Sequence, residues 1–310
     1  MDRQLLWAKT EVTYGVDPVA VAANTVLAED ITYKLTGQRV KPNPAKPGVG
    51  PVPSWTYGEY VEVSFSIPLI GNAAVGSAPK FGPILLACGW AETLVAVTSA
   101  SYALVANPKA SPSLTLVWRD DRRSHKVVGF RGRLGLKLSA GQRPMITVTG
   151  KGLHTDVTTG AALAHADAVF TDWQDARPVA QGATAFTFAA VASLGLREFS
   201  FDQSDNVKFF DLPGQESVEL LGERAFTGKV KLTTPLPSAL NFETLWKSGA
   251  QQTWSFTHDT VAGRIATVSG RGQVVDPGYG RDNEQDVTDF SLELNPSSLV
   301  TDNDLALVFT

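Results

Sequence analysis

The 310-residue chain has a single cysteine, two methionines and four histidines. One cysteine, Cys88, excludes an intrachain disulfide and a cysteine-based zinc cluster. The histidines (His125, His154, His165, His258) make no H-E-x-x-H and no near-neighbour ligand pair, so no metal is expected. His125 and His258 fall near hairpin tips and are expected to be solvated. No stretch approaches the ~20 apolar residues of a membrane span. The opening MDRQLLWAKTEV lacks the basic start and apolar run of a signal peptide, so a soluble chain that matures without export is expected. Basic charge is also scarce. With 27 Lys and Arg against 31 Asp and Glu, the net charge of −4 gives no footprint for tight nucleic-acid binding.

Catalytic patterns are missing too. GNAAVGSA (71–78) has phosphate-loop spacing, but Ser77 stands where the lysine belongs. GRG (270–272) precedes a strand, so the dinucleotide fingerprint fails. There is no G-x-S-x-G elbow, and Cys88 sits on an apolar helix face, as a packed thiol does. In DPGYGRDNEQDVTD (276–289), Asp282, Glu284 and Asp286 alternate like calcium ligands. The glycine and closing glutamate of such a loop are missing, which leaves a solvated acidic loop. Nothing marks two carboxylates as a glycosidase pair. The chain reads as a non-enzyme without a cofactor.

What is present is a β-rich globular sequence, 43% apolar and 19% charged, long enough for two modest domains or one large β domain. EYVEVSFSI (59–67) alternates apolar Val61, Val63, Phe65 and Ile67 with polar residues, as a half-buried strand does. SLTLVW (113–118), KVVGFRGRLGLKL (126–138) and MITVTG (145–150) also read as strands, with RDDRRSH (119–125) as an exposed hairpin tip. Two helices are predicted: 77–89 capped by Ser77 and ended by Gly89, and 238–249 capped by Ser238 and ended by Gly249. Phe81, Leu85 and Cys88 share one face of the first; Phe242, Trp246 and Gly249 share the matching face of the second.

The order of elements repeats. At an offset of 167, residues 27–40 lie over 194–207 and 63–68 over 230–235. With loops adjusted, the helices superpose, then hairpin 116–134 on 254–274, sharing Arg131-Gly132 and Arg271-Gly272, then 145–150 on 289–294. Each half reads strand, long loop, strand, helix, hairpin, strand. The expected domains are 1–165 and 166–310, with one large β-sandwich as the alternative. The halves differ in charge: 17 Lys and Arg against 11 Asp and Glu in the first, 10 against 20 in the second. Each has one long loop at the same place. The first, VKPNPAKPGVGPVPSW (40–55), carries five prolines and no acid. Proline removes ladder donors and presets extended backbone, so this arm is stiff and non-pairing. The second, 209–223, is acidic, with Asp211, Glu216, Glu219 and Glu223.

The segment LLWAKTEVTYGVDPVAVAANTVLAEDITYKL (5–35), with its LL.AK.E..YG.DP pattern, and the run PKFGPILLACGWAET (79–93) resemble the major tail tube proteins of long-tailed, siphovirus-type bacteriophages. The resemblance covers the first half best and the second through architecture. It implies tandem tail-tube-type β-sandwich or barrel domains, each with a flanking helix and a long loop. It further implies a structural virion protein whose rings stack into a hollow tube for DNA, made in the host cytoplasm and residing in the phage tail. Implied partners are other copies in homotrimeric, pseudo-sixfold rings, the tail terminator, distal or baseplate proteins, the tape measure protein, and DNA held without sequence-specific binding. The expected inter-ring arm comprises Val40, Pro42, Pro44, Lys46, Pro47, Pro51, Pro53 and Trp55. The expected second contact comprises Phe210, Asp211, Pro213, Glu216 and Glu219. A glycan-binding β module is the competing reading, and another tail or capsid component is a third. The glycan module would want clustered exposed aromatics, whereas Trp55, Trp90, Trp118, Trp173, Trp246 and Trp254 are spread one per element, most at apparent core positions.

Overall fold

The computed structural model describes residues 3–204, 206–221, 224–298 and 300–310. The first half contributes β1 (Gln4–Thr10), β2 (Thr25–Val26), β3 (Glu29–Val40), β4 (Trp55–Pro68), α1 (Gly82–Ala87), β5 (Trp90–Val95), β6 (Ser99–Leu104), β7 (Leu114–Asp120), β8 (Arg123–Ser139), β9 (Met145–His154) and β10 (Thr158–Thr159). The second contributes β11 (Thr184–Phe188), β12 (Leu196–Gln203), β13 (Asn206–Leu212), β14 (Gln215–Leu221), β15 (Phe226–Thr233), α2 (Phe242–Ser248), β16 (Gln252–His258), β17 (Ala266–Asp282), β18 (Gln285–Leu294) and β19 (Leu305–Phe309). The protein is mainly β, and its strands pair antiparallel throughout these ladders. Neither helix is long and apolar enough to cross a membrane.

The pairing path is the same in both halves. In the first, β1 pairs with β7, β7 with β8, β8 with β9, β9 with β4 and β4 with β3. In the second, β11 pairs with β16, β16 with β17, β17 with β18, β18 with β15 and β15 with β12. Alternation drives each ladder. Val61, Val63, Phe65 and Ile67 of β4 are buried, as the period-2 pattern predicts, and each fully buried side chain of this size contributes roughly 1.5–3 kcal/mol.

The halves share one core. β12 lies against the distal end of β8 with Phe199 opposite Leu138 and Phe201 opposite Leu136. All four side chains are buried, while Ser200, Lys137 and Asp202 take the other face. Behind this seam Phe199 sits 4.8 Å from the Trp254 ring and 6.0 Å from Phe186. A second seam runs through β19, which pairs with β17 on one side and β6 on the other.

Several local expectations need correction. The first helix starts at Gly82 after Phe81, not at a Ser77 cap, because Pro79 and Pro83 restrict helix initiation to the residues around Pro83. The second starts at Phe242, capped by Asn241, whose side chain accepts from Thr244 N; Gly249 ends it at φ 61, where only glycine sits freely. On α2, Phe242 is buried but Trp246 is 48% exposed, so the expected apolar face is half uncovered. The polar tip 119–125 is a hairpin tip as expected, its turn narrowed to Asp121 and Arg122, with Trp118 paired to His125. Neither tip histidine is solvated as expected. His258 is buried, and His125 is half-buried, stacking 4.7 Å from the Trp118 ring. Residues 209–221 are not a loop. They belong to the β13–β14 hairpin, with Phe210 opposite Ser217 and Asp211 opposite Glu216; Glu223 lies outside the described residues.

Candidate assembly surfaces

The two long excursions emerge side by side. β3 and β4 form a ribbon that ends with Val40 opposite Trp55. Beyond that pair, residues 41–54 are irregular, as their prolines require. Val40 and Trp55 are exposed; Pro44, Lys46, Pro47, Pro51 and Pro53 are exposed, and Pro42 is half-buried. Trp55 is 65% exposed, a large apolar surface left unpaired.

The second excursion is docked within its own chain. Its hairpin lies on the rim of the first half, against β8 and β9. Val218 and Leu220 are buried there. Phe209 packs 5.1 Å from the Tyr60 ring, and Lys151 Nζ lies over that tyrosine, 4.8 Å from its centroid. Asp211 approaches Gly58 of the arm's base closely enough that a Cβ on Gly58 would meet its Oδ2 at 3.0 Å. An open groove of about 460 Å³ runs between ribbon and hairpin, lined by Gln38, Tyr57, Tyr60, Lys208 and Phe210. The structure therefore seats the second stretch against the base of the ribbon that carries the first, and none of residues 40–55 lines this groove. Phe210 is half-buried in this contact; Asp211, Pro213 and Glu216 are exposed, and Glu219 is half-exposed opposite Lys208.

The clamp that holds the hairpin uses residues with no predicted role. Tyr14 Oη accepts a hydrogen bond from Val218 N at 2.6 Å, and Arg131 Nη1 donates to Val218 O at 3.0 Å. Arg131 lies over the Tyr14 ring, 5.4 Å from its centroid, and also donates to Ser111 O. Burial is the main reason the Tyr14 hydroxyl is held above its ordinary pKa, so it stays a neutral phenol. Glu11 sets the base of this clamp. It is 6% exposed and accepts from Gly15 N, Ser113 Oγ, Thr115 Oγ1 and Gly129 N, which satisfies both carboxylate oxygens. Gly129 sits at φ +62 in a bulge of β8, and a Cβ there would strike the Tyr14 ring at 2.8 Å.

This gives the N-terminal LL.AK.E..YG pattern a physical content. Leu5, Leu6 and Ala8 fill the core, Lys9 donates to Pro18 O and Val19 O, Glu11 anchors the turn, and Tyr14 reaches the hairpin. The only signal in sequence was the E..YG spacing at the end of an apolar strand. Of the tryptophans, Trp90 and Trp254 are buried, Trp118 and Trp173 pack against the core, and Trp55 and Trp246 are exposed.

Among curated proteins no significant match is found. The family model described as phage tail tube protein matches residues 2–296, nearly the whole chain, and this family is structural, not enzymatic. The chain belongs to the phage tail tube protein family.

Proposed function

We propose that this chain is the major tail tube subunit of a siphovirus-type, non-contractile phage tail, made in the host cytoplasm and stacked as rings around the channel through which DNA is ejected. Residues 1–165 and 166–310 act as two copies of one plan, and three chains close a pseudo-sixfold ring. The observation that carries this reading is the seam between the halves, where β12 extends the first half's sheet along Gly135–Ser139. The result is a strand series β3-β4-β9-β8-β12-β15-β18-β17 with an open edge at each end. Among the described residues β3 pairs only with β4, and β17 beyond Val275 only with β18. Laying the next chain's β3 on that stretch of β17, as β12 lies on β8, repeats the in-chain seam and removes both edges. The bulge after Val275 and Pro277, which has no N–H, suit a strand kept from pairing promiscuously before assembly.

The solvent face of this series suits a channel for a polyanion. Charges alternate across it: Lys34, Glu62 and Lys151 form one row, and Glu198, Lys231 and Asp289 form another of opposite order. These two rows neutralise themselves locally, while Lys137 and Lys229, both opposite Ser200 on the same exposed face, are basic positions without an acid in their row. The partners of the ring are further rings, the tail terminator, distal or baseplate proteins and the tape measure protein, with DNA passing unbound. The arm at 40–56 bridges rings, while residues 209–221 tie one half to the other. A glycan-binding module is disfavoured because Trp90 and Trp254 are spent in the core. Negative-stain microscopy of the purified chain tests the proposal: tubes are expected, and monodisperse monomers that bind glycan would overturn it.

A further inference from the structure

The two helices are treated differently by their own chain. Ile84 and Leu85 of α1 are 1% and 0% exposed, because Phe81 at its start packs 5.7 Å from Phe309 and 6.2 Å from Trp173. Around α2 the cover is missing. Trp246 on the helix is 48% exposed, Leu236 in the turn before it 75%, and Tyr279 on β17, the strand it packs against, 54%. Strand directions place this bare face. Because β4, β9, β8, β12 and β15 alternate in direction, β15 runs the same way as β4. The arm precedes β4 and the Leu236 turn follows β15, so they lie at opposite ends of the sheet. The β17–β18 turn at Asn283 and Glu284 lies at the α2 end as well.

We propose that the bare α2 face receives the proline arm of a second copy of this chain in the adjacent ring, a reading that rests on the tail tube assignment above. Two matches select this occupant. Val40, Val49 and Trp55 on the arm are exposed, giving the apolar surface that Leu236, Trp246 and Tyr279 lack. Charge decides the rest: residues 39–58 carry Arg39, Lys41 and Lys46 with no acid, and residues 276–289 carry five acids against one arginine. Of these acids, Asp282 is held by Arg197 and Lys231, and Asp286 by Arg281; Glu284 and Asp276 remain exposed. The matching turn of the first half, 140–144, holds Arg143 and no acid, which repels a basic arm and directs it to the second half. The arm extends seven residues on each side of its tip, about 20 Å at the roughly 3 Å per residue of proline-rich extended chain. Stiffness lets it cross a ring junction at little entropic cost.

The test uses the full chain. Lys41→Glu with Lys46→Glu should raise the critical concentration for tube growth by about tenfold or more, and adding Glu284→Lys together with Glu243→Lys, Glu243 being the exposed acid in the first turn of α2, should restore it. Independently, Val49→Cys with Leu236→Cys should cross-link with a short bismaleimide into a ladder in tubes and not in unassembled protein; Cys88 is buried and silent. Wild-type protein that forms no tubes overturns the tail tube reading and this one with it. Normal tubes from the charge-reversed arm, or tubes of the double-cysteine chain that give no ladder, overturn the arm's landing site alone.

Discussion

Tyr14 Oη and Val218 N stand 2.6 Å apart across 204 positions of sequence. The bond joins a turn just after the first strand to a hairpin inserted in the second half, and it is the central contact of the clamp on the first half's rim. Val218 is 0% exposed, so its N–H has no water to turn to if the phenol is removed.

Tyr14→Phe keeps the ring and its contact with Arg131 but leaves that donor unsatisfied. The expected cost is about 1–3 kcal/mol, or a Tm lower by roughly 2–4 °C per kcal/mol in a chain of this size. Hydrogen exchange should accelerate in residues 206–221 well before it does in β8 or β9. Uniform acceleration would mean that the bond supports the whole fold and not the docked hairpin.

Acid should weaken the fold through His258. Its Nε2 lies 3.1 Å from Arg177 O and its Nδ1 2.9 Å from Thr184 Oγ1, an arrangement satisfied by the neutral ring donating through Nε2. Burial is the main cause that holds its pKa below the ordinary histidine value of about 6.5. The unfolded chain therefore takes up a proton that the folded chain resists, so this stabilisation is complete above about pH 6.5 and is lost as pH falls below it. His125, with its pKa lowered chiefly by burial as well, acts in the same direction. Asp259 contributes a later step. Burial raises its pKa, but hydrogen bonds from Thr260 N and Val261 N, with Arg177 nearby, outweigh that and hold it below 3.8, so its contribution is lost only in stronger acid. Calorimetry from pH 7.5 to 5 should show Tm falling, and His258→Gln should flatten part of that slope; an unchanged slope would assign the acid sensitivity elsewhere.

Alternation made the ladder strands legible, because one face of each is core: β4, β8 and β9 were readable from Val61, Leu134 and Val148 outward. The β13–β14 hairpin was hidden because its acidic residues and prolyl turn resemble a loop, although Pro213-Gly214 between two apolar stretches is also a hairpin signal, with Gly214 at φ 89. Strand register corrects the superposition of the halves. Phe65 pairs with Val148 and Gly228 with Leu292, so laying 145–150 on 289–294 places Phe65 on Gly228, not on Leu232 as an offset of 167 requires. The shared Arg-Gly steps do agree, since Gly132 pairs with Gly150 and Gly272 with Leu294. Apart from the local Gly15 N–H on Glu11, the Glu11 and Tyr14 contacts were not legible, because their partners lie about a hundred or more positions away and no local pattern encodes such meetings.

Removing Pro42 to Pro53 and closing the gap with two glycines should leave the fold intact. The segment supplies no strand and no buried side chain, and the ribbon already ends at the Val40–Trp55 pair. Circular dichroism and Tm should match the parent, while tube formation fails. Full-length tubes of parental stability from the shortened chain would show that the arm does not join rings.

The ring should hold three chains and not six. A seam like that of β8 and β12 occurs once within each chain and must recur once between chains, so the circle alternates covalent and non-covalent junctions. The halves differ in charge, with 17 basic against 11 acidic residues in the first and 10 against 20 in the second. Alternation therefore sets unlike charge at every junction, whereas an arrangement in which like halves meet would not. Each rim pair adds only about 0–1 kcal/mol, so charge fixes the order while sheet pairing and core burial supply the stability. Cryo-electron microscopy of tubes should show threefold rings that look sixfold at low resolution, and native mass spectrometry of ring intermediates should give trimer mass. True sixfold rings of the whole 310-residue chain would refute this, because six chains would place twelve halves around the circle where the pseudo-sixfold ring holds six.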